Sequence, residues 1–397
     1  MPTERLYYDD SLLARFEARI VAHSELDGRK SLVLDRTAFY PESGGQMSDR
    51  GRLAEAPVID VQVDDDGIVH HFIDAELPEV GSEVAGQIEM GRRRVHMALH
   101  TGQHILSRAL VEVAKAETVS SRLGESSCKI DVDLAGLSEA QVAEAEALGN
   151  SVVDDDLPVR AFFPAPAELK SLPLRREPKV TDAIRVVKIG DFDVTPCGGT
   201  HCRNSAQVGW LRVTGIERYK GGTRIGFAAG RRAREELWKE AEVLKSLGRD
   251  FTCGALDVAA AVEKLRRVLN ETRDALGHAR ARLAESAADE LVQKARSSGE
   301  RLVVAQLEGA TVELLRAIAG RVTELSGAVA LLAGSSEEGA PLVVVRSKDS
   351  DFDCGAFLKR AAQAGGGRGG GRPERAEGRI PAGVDWPKLV ASLMESG

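Results

Sequence analysis

Two pairs of residues in the sequence have the types and spacing of metal ligands. His100 and His104 lie four positions apart in a segment with helical apolar periodicity, so their rings project from one helix face. Cys197 and His201 have the same offset in PCGGTHC, where two glycines let the backbone turn tightly enough for both side chains to converge. Imidazole and thiolate groups in a set of four are the ligands that zinc prefers. Together the pairs predict one zinc ion per chain.

The spacing of the histidines on the helix permits a second choice of metal ligands. His96 also lies four residues from His100, so spacing alone permits His96 and His100 as the ligands. A metalloprotease is a poor match, because its HExxH helix carries a glutamate as general base. Here Thr, Gly and Gln stand between His100 and His104, so that base is missing.

The elements that must position these residues follow from the apolar pattern, which predicts an α+β chain. Residues 1–90 alternate apolar and polar residues and read as an N-terminal β-barrel-like domain. Residues 91–232 read as an α+β zinc-binding core, in which one helix carries the histidines and a loop between strands carries CGGTH. A helical coiled-coil arm over 233–298 and a small α/β module over 299–397 follow.

The two carboxyl-terminal parts each contain a distinctive segment. In the arm, apolar or small residues alternate steps of four and three, which is the a/d seam of a coiled coil: Val258, Val262, Leu265, Leu269, Thr272, Leu276, Ala279 and Leu283. The seam predicts either a hairpin within the chain or a homodimer. In the last module, AGGGRGGGRPER is expected to be a basic glycine loop between helices.

Composition argues against several classes of protein. The 397 residues carry a formal charge of −8, which argues against a generic nucleic-acid coat protein unless positive charge is segregated locally. Five cysteines without a CxxC motif predict neither a disulfide framework nor a zinc ribbon. With no long apolar run and no secretory pattern at the start, a cytoplasmic protein without a membrane segment is expected.

Several motifs together resemble one protein family. HTGQHILSRAL, CGGTH about ninety residues later and FYPESGGQMSDRG upstream are similar to the editing domain of alanyl-tRNA synthetases and the freestanding AlaX editing proteins. AGGGRGGGRPERAEG resembles their carboxyl-terminal DHHA1-type module, and the coiled-coil segment matches the helical arm before it. Because no segment resembles a class II aminoacylation domain, the resemblance is to the long form of AlaX, which edits without charging tRNA.

The resemblance also implies functional residues. The zinc ligands, with the catalytic role that depends on them, fall on His100, His104, Cys197 and His201. The substrate-binding positions of the family fall on Thr37, Gly44, Gly45 and Gln46. Where the synthetase editing domain has a glutamine, this chain has Ser121, followed by Arg122.

The implied reaction is hydrolysis of the ester in mischarged Ser-tRNA(Ala), and of Gly-tRNA(Ala) as a second substrate. A synthetase pocket for alanine rejects serine and glycine only weakly, since one small group is worth roughly 1–3 kcal/mol. A hydroxyl such as that of Thr37 can select serine, because alanine would leave it without a partner. Four protein ligands are typical of a structural zinc, so a non-catalytic zinc-stabilised tRNA-binding protein is the alternative. A DHH phosphodiesterase is disfavoured because the chain has no Asp-His-His triplet.

Positive residues near glycines are the expected contacts to tRNA(Ala), since the backbone can approach a phosphate closely there. They lie before the histidine helix, in the KGGTR turn and in the glycine segment: Arg93, Lys220, Arg224, Arg368, Arg372 and Arg375.

Overall fold

The protein is described by a computed structural model over residues 3–178, 183–337 and 339–395. Within these ranges it contains eight α-helices and several sheets, which confirms the expected mixture of helices and strands. Residues 1–247 and 248–397 form two compact units. The division into four domains stays a prediction, and its outermost positions, 1 and 397, lie outside the described residues. None of the described helices has the length and apolar character needed to span a bilayer.

The first ninety residues form eight strands. These are β1 (Glu4–Arg5), β2 (Arg15–Leu26), β3 (Arg29–Leu34), β4 (Arg36–Thr37), β5 (Gly51–Leu53), β6 (Ala56–Val63), β7 (Val69–Ile73) and β8 (Glu83–Ile88). Six of them close into an antiparallel ring in the order β2, β3, β7, β6, β5, β8, while β1 pairs with β4. Exposed and buried residues alternate along β2 and β8, so the ring has an apolar interior that includes Phe16, Ile20 and Leu34.

The rest of the first unit packs around one long helix. Its elements are α1 (Met90–Ala114), β9 (Thr118–Leu123), β10 (Cys128–Val132), α2 (Glu139–Asp154), β11 (Val159–Phe162), α3 (Pro166–Leu169), β12 (Val186–Ile189), β13 (Asp193–Pro196), β14 (Leu211–Tyr219), β15 (Gly222–Ala229) and α4 (Gly230–Asp250). The strands form two antiparallel sheets, β14-β15-β10-β9 and β11-β12-β13. Leu99, Ile105 and Leu110 of α1 join a core with Ile130 and Phe227, which fixes α1 against the four-stranded sheet.

The segment YPESGGQ is a turn that joins the ring to the four-stranded sheet. Ser43 and Gln46 exchange two backbone hydrogen bonds of 3.1 and 2.9 Å, and the amide of Leu123 on β9 donates to the carbonyl of Gly45 at 2.7 Å. A side chain at Gly45 would place its Cβ 2.4 Å from the carbonyl oxygen of Ser121, and φ there is +88°. The turn can therefore lie this close to β9 only with glycine at position 45.

A buried ion pair fixes the start of α1 to the ring. The guanidinium of Arg93 is fully buried, donates to both carboxylate oxygens of Asp49 and also donates to the carbonyls of Ser11 and Ala38 at 2.6 Å each. The expectation that Arg93 contacts tRNA is therefore wrong. Its charge is already neutralised in the interior, because a buried cation requires a carboxylate partner.

The second unit is a long helix followed by a five-stranded α/β module. Its elements are α5 (Val258–Ser298), β16 (Leu302–Glu308), α6 (Val312–Val322), β17 (Val329–Ser335), β18 (Ala340–Arg346), α7 (Cys354–Ala364), β19 (Arg368–Arg372), β20 (Arg375–Ile380) and α8 (Trp386–Glu395). The sheet order is β16-β17-β18-β20-β19, with α6 connecting the only parallel pair, β16 and β17. Trp386 is fully buried and its indole donates to the carbonyl of Leu331 at 2.8 Å.

The glycine segment differs from the expected loop, because it forms the hairpin of β19 and β20. A Cβ at Gly371 would lie 2.5 Å from the Cα of Ala376, so the absence of a side chain lets the two strands approach. Glycine composition indicated a flexible loop, whereas the structure uses glycine for close strand packing.

The predicted seam lies on one helix, α5, and much of it is exposed. Leu265, Leu269, Leu276 and Leu283 expose between 47 and 63% of their surface. Only the last third of α5 packs against the α/β module, through Ala284, Ala288 and Ala295 among others. The helix is confirmed, whereas its pairing as a coiled coil stays a prediction.

We expect Asp49→Ala to lower the free energy of unfolding by roughly 3–5 kcal/mol, because it leaves the buried charge of Arg93 without a partner. Urea denaturation followed by circular dichroism measures the change. Glu55→Ala is the control, since its carboxylate is fully exposed beside Arg52 and its loss should change stability by less than about 0.5 kcal/mol. Equal unfolding midpoints for the two variants would contradict the role given to the ion pair.

Candidate metal centre

The two predicted ligand pairs meet in the interior of the first unit. One donor atom from each of His100, His104, Cys197 and His201 lies within 4.8 Å of the other three. The Cys197 Sγ is 3.4 Å from Nε2 of both His100 and His201. His96 is buried on the same helix but lies outside this cluster, so the geometry favours His104 over His96 as the partner of His100.

Each imidazole has its other ring nitrogen turned toward an oxygen atom. The Nδ1 of His100 is 2.8 Å from Oε1 of Gln46, and the Nδ1 of His201 is 3.2 Å from the hydroxyl of Thr101. The Nδ1 of His104 lies 3.3 Å from a carboxylate oxygen of Asp193. Such contacts hold each ring with Nε2 toward the cluster, which is the arrangement that orients histidine ligands of a metal.

The charges around the cluster favour a thiolate. Burial opposes ionisation of the Cys197 thiol, but the surrounding imidazoles outweigh it and hold its pKa well below the usual range. Burial likewise opposes ionisation of Asp193, and the hydrogen bond from His104 and the charge of Arg175, whose Nε is 2.7 Å away, hold its pKa low. A thiolate and three imidazoles, buried and oriented in this way, fit zinc as a ligand set.

The second glycine of CGGTH is required by the packing of the cluster. A Cβ at Gly199 would lie 2.1 Å from Cε1 of His100, which is far inside van der Waals contact. At Gly198 the nearest atom would be the hydroxyl oxygen of Tyr8 at 3.4 Å, an acceptable distance. The loop can therefore cover the His100 ring only because residue 199 has no side chain.

A cavity of about 270 Å³ opens beside the cluster. Its wall includes His100 and Cys197, together with Gly44, Ser121 and Arg185. His201 lines a separate cavity of about 380 Å³, whose wall also includes Arg185. His100 and Cys197 thus face the first cavity, whose volume can hold a small substrate group.

Arg185 is a buried cation at this cavity that sequence reasoning missed. Its Nη1 donates to the carbonyls of Cys197 and Gly199 at 3.1 and 2.9 Å, and its guanidinium lies over the Tyr8 ring at 5.0 Å. Among the described residues its Nε has no hydrogen-bond partner, and no carboxylate forms an ion pair with it. Arg185 lies outside the ligand motifs, so no local pattern could have identified it.

The structure brings some of the expected substrate-binding residues to the cavity and not others. Gly44 lines it, Gly45 fixes the turn against β9, and Gln46 contacts His100 and also the Thr200 hydroxyl, to which its Nε2 donates at 2.8 Å. Thr37 is fully buried and is not among the lining residues, because its hydroxyl contacts His71 Nε2 at 2.8 Å. Gln46 was expected at the substrate, and its contact with His100 joins residues 54 positions apart, which no local pattern signals.

The predicted RNA contacts are placed in different environments. Lys220 is exposed at the turn between β14 and β15, whereas Arg224 is bonded to both carboxylate oxygens of Asp131 at 2.6 and 2.9 Å. In the second unit Arg375 pairs with Glu377 at 2.6 Å. The other two lie at the ends of β19 with exposed side chains: Arg368 and Arg372.

A Ser-His-Asp arrangement in the ring offers no alternative active site. The Ser31 hydroxyl is 2.9 Å from Nδ1 of His70, whose Nε2 is 3.0 Å from a carboxylate oxygen of Asp64. Ser31 has no exposed surface, so a substrate carbonyl cannot reach it. The three residues form a structural hydrogen-bond network.

We expect Gly199→Ala to lower the zinc content of the purified protein by at least half, because the added methyl group displaces the His100 ring. Atomic absorption after dialysis against a weak chelator measures the bound metal. Gly198→Ala is the matched control and should keep the zinc content of the parent protein. If both variants hold equal zinc, then the close contact between residue 199 and His100 does not shape the metal centre.

Three family models match parts of the chain. The threonyl and alanyl tRNA synthetase second additional domain matches residues 184–226, which contain CGGTH. The model for class II (A) tRNA synthetases matches residues 3–92, the segment that contains the ring, although no segment was expected to resemble a class II aminoacylation domain. The DHHA1 domain matches residues 299–395. A solved structure of the C-Ala domain from Aquifex aeolicus alanyl-tRNA synthetase aligns with 24% of this chain and 87% of its own at 26% identity, but its TM-score of 0.21 is too low to support a shared fold.

Curated relatives match nearly the full chain. An alanine–tRNA ligase of Archaeoglobus fulgidus is 30% identical and covers 98% of this chain, but this chain covers only 43% of that enzyme. The chain thus spans less than half the length of such ligases. The alanyl-tRNA editing protein AlaX-L of Pyrococcus horikoshii is 31% identical over 96% of this chain and 95% of its own length. With the histidine and cysteine motifs gathered in one buried cluster, the chain belongs to the AlaX-L family of alanyl-tRNA editing proteins.

Proposed function

We propose that the protein is a zinc-dependent aminoacyl-tRNA deacylase that hydrolyses the ester of mischarged Ser-tRNA(Ala) and Gly-tRNA(Ala) and does not charge tRNA. The observation that carries the proposal is the cavity whose wall contains His100 and Cys197, two residues of the predicted metal centre. The name of the Pyrococcus horikoshii relative supports the substrate class.

One zinc ion per chain would be held by the four clustered side chains: His100, His104, Cys197 and His201. Zinc in protein sites supplies Lewis acidity, which polarises a carbonyl or makes water more acidic. Gln46, Thr101 and Asp193 keep the three imidazole rings oriented, so the ligand set is prepared before substrate arrives.

Arg185 supplies positive charge on the cavity side of the cluster. Its contacts with the carbonyls of Cys197 and Gly199 fix the guanidinium beside the cavity, whereas its Nε is buried and has no hydrogen-bond partner among the described residues. A fixed cation in a site of low water content stabilises the negative charge that develops on an ester oxygen during hydrolysis. Arg185 thus has two effects, since it also braces the loop that carries Cys197.

Selection of serine is assigned to Thr37. His71 turns Nδ1 toward the carbonyl of Leu32, and burial lowers the pKa of His71 to about 4, so its Nε2 accepts the hydroxyl proton of Thr37. The amide of Phe39 donates to one lone pair of Thr37 Oγ1 at 3.1 Å. Thr37 has no exposed surface, so this role requires the cavity to open toward it when the substrate binds. The remaining lone pair can then accept a hydrogen bond from a serine hydroxyl, which alanine lacks.

The partner is tRNA(Ala), contacted by exposed cations in both units. Lys220 in the first unit and Arg368 and Arg372 in the second have side chains accessible to phosphate. Arg224 and Arg375 contribute less, since Asp131 and Glu377 already neutralise them. The exposed leucines of α5 and the carboxyl-terminal module would support a homodimer, because an apolar seam of this kind is stabilised by pairing.

A non-catalytic tRNA-binding protein stabilised by zinc is the second candidate. It is favoured by the presence of four protein donors, which is typical of structural zinc sites. The two candidates differ in one measurement. The deacylase releases serine from Ser-tRNA(Ala) and loses this activity when zinc is removed, whereas the binding protein leaves the ester intact at every zinc concentration.

Cys197→Ala removes the only sulfur donor of the cluster, so we expect the zinc content to fall well below one ion per chain and deacylation of Ser-tRNA(Ala) to fall by at least about 100-fold. Metal analysis and release of labelled serine measure the two effects. His96→Ala is the matched control on the same buried helix and should keep most of the zinc. Loss of zinc from both variants alike would assign His96 to the ligand set.

Thr37→Val keeps the shape of the side chain and removes the hydroxyl. We expect the ratio of kcat/KM for Ser-tRNA(Ala) to that for Gly-tRNA(Ala) to fall about tenfold, because glycine has no hydroxyl to recognise. Parallel assays with the two substrates measure the ratio. Equal losses on both, together with a lower melting temperature, would show that Thr37 serves only the buried hydrogen bond with His71.

A further inference from the structure

The outer face of the four-stranded sheet carries two unpaired cations directly opposite each other. Arg122 on β9 and Lys129 on β10 are register partners. Like charges at such positions repel each other when nothing neutralises them. Within the described residues neither side chain has a carboxylate within 4.0 Å. An arrangement of this kind is stabilised by an anion bound between the two side chains.

The nearby carboxylates are already committed to other groups. Asp131 binds Arg224 through both of its oxygens and also accepts a hydrogen bond from the Ser120 hydroxyl at 2.7 Å. Glu125 binds Arg92 at 2.8 Å. Asp133 also lines the groove around the two cations and accepts a hydrogen bond from the backbone amide of Glu117 at 2.8 Å. Among the described lining residues outside ion pairs, the three cations Arg122, Lys129 and Lys220 therefore outnumber this one carboxylate.

A groove of about 1050 Å³ surrounds the two cations, and we call it the outer groove. Its wall also includes Met47, Ser120, Tyr219 and Lys220. On the β15 side the register partner of Lys129 is Gly226, which has no side chain. The hydroxyl of Thr214 occupies the space beside Gly226, since a Cβ there would lie 2.8 Å from its Oγ1, so the groove lies on the β9 side of Lys129.

The outer groove adjoins the cavity of the metal centre across a single strand. Ser121 lines that cavity, whereas its neighbour Arg122 lines the outer groove. The same alternation occurs in the turn, where Gln46 contacts His100 and Met47 lines the groove. Successive side chains of a strand point to opposite faces, so the two spaces lie on opposite sides of β9. Because β9 is the edge strand of its sheet, a chain that leaves the cavity would reach the outer groove by passing around that strand.

We propose that Arg122 and Lys129 bind a backbone phosphate of the single-stranded 3′ end of the tRNA substrate. The proposal rests on the deacylase function, which places the terminal ribose at the metal cavity. The nucleotides that precede it carry one negative charge each, and the outer groove offers them the two unpaired cations Arg122 and Lys129. Phosphate contacts of this kind set the position of the RNA without reading its sequence.

The test uses the full-length protein with both cations neutralised, Arg122→Gln/Lys129→Gln. The control double variant is Arg160→Gln/Arg218→Gln, which removes two exposed positive charges at positions that do not line the outer groove. Both variants should keep the zinc content of the parent protein. Binding is measured with uncharged tRNA(Ala), and with the same tRNA trimmed of its single-stranded 3′ nucleotides.

We expect the Arg122/Lys129 variant to bind intact tRNA about tenfold more weakly than the control variant does, because it has lost one charge-assisted contact with the tRNA. The slope of log affinity against log salt should become shallower by about 0.7, the value for one phosphate of a single strand. On trimmed tRNA the two variants should bind equally. The reciprocal variant Arg122→Lys/Lys129→Arg should restore binding.

Equal affinities of the two double variants for intact tRNA would overturn the proposal. So would a deficit of the Arg122/Lys129 variant that persists on trimmed tRNA, because the contact would then be with the tRNA body. These outcomes are independent of ester cleavage. Failure of the parent protein to release serine from Ser-tRNA(Ala) would refute the deacylase function instead, and the binding comparison would still report on the phosphate site.

Discussion

Burial of three imidazoles and a thiol at one point is the constraint on which the first unit depends. Each group loses hydration, so each needs a partner in the interior. Gln46, Thr101 and Asp193 supply partners for the imidazoles, and Asp193 is itself held by Arg175. The turn between β4 and β5, helix α1 and strand β13 thus each contribute a partner to one cluster. Residues far apart in sequence must be present together, because a substitution of any one of them would change the position of the clustered side chains.

The clustering of His100, His104, Cys197 and His201 could be predicted because its signals are local. Four-residue spacing on a helix and a glycine-containing CxxxH loop both limit where side chains can point. Spacing alone left His96 as an alternative, the family resemblance implied His104, and the packing places His96 outside the cluster. Most helices and strands could be predicted for the same reason, since apolar periodicity reports which face is buried.

What could not be predicted depends on distant contacts. Arg93 has the charge and position of an RNA-binding residue, yet Asp49, far away in sequence, makes it part of the core. Arg185 lies in a strand-like segment without a motif, and its role depends on carbonyls of the CGGTH loop. The glycine segment gives the same local signal for a loop and for a tightly packed hairpin, and only its pairing with β20 distinguishes them.

The four donors of the cluster differ in their surroundings. This difference determines from which side a substrate could approach a metal ion held by four protein ligands. His100 and Cys197 line the cavity assigned to substrate, His201 lines a different cavity, and His104 lines neither. His104 and His201 are braced within the core by Asp193 and Thr101. A substrate atom that approaches from the cavity therefore meets His100 and Cys197 first. Of these, His100 is held by Gln46 and covered by Gly199, whereas the Cys197 thiolate is contacted by the Gly199 amide at 3.4 Å. A metal held by these four side chains would therefore be approached by substrate on the side where Arg185 and the glycine loop lie, while Asp193 and Thr101 would hold His104 and His201 in place.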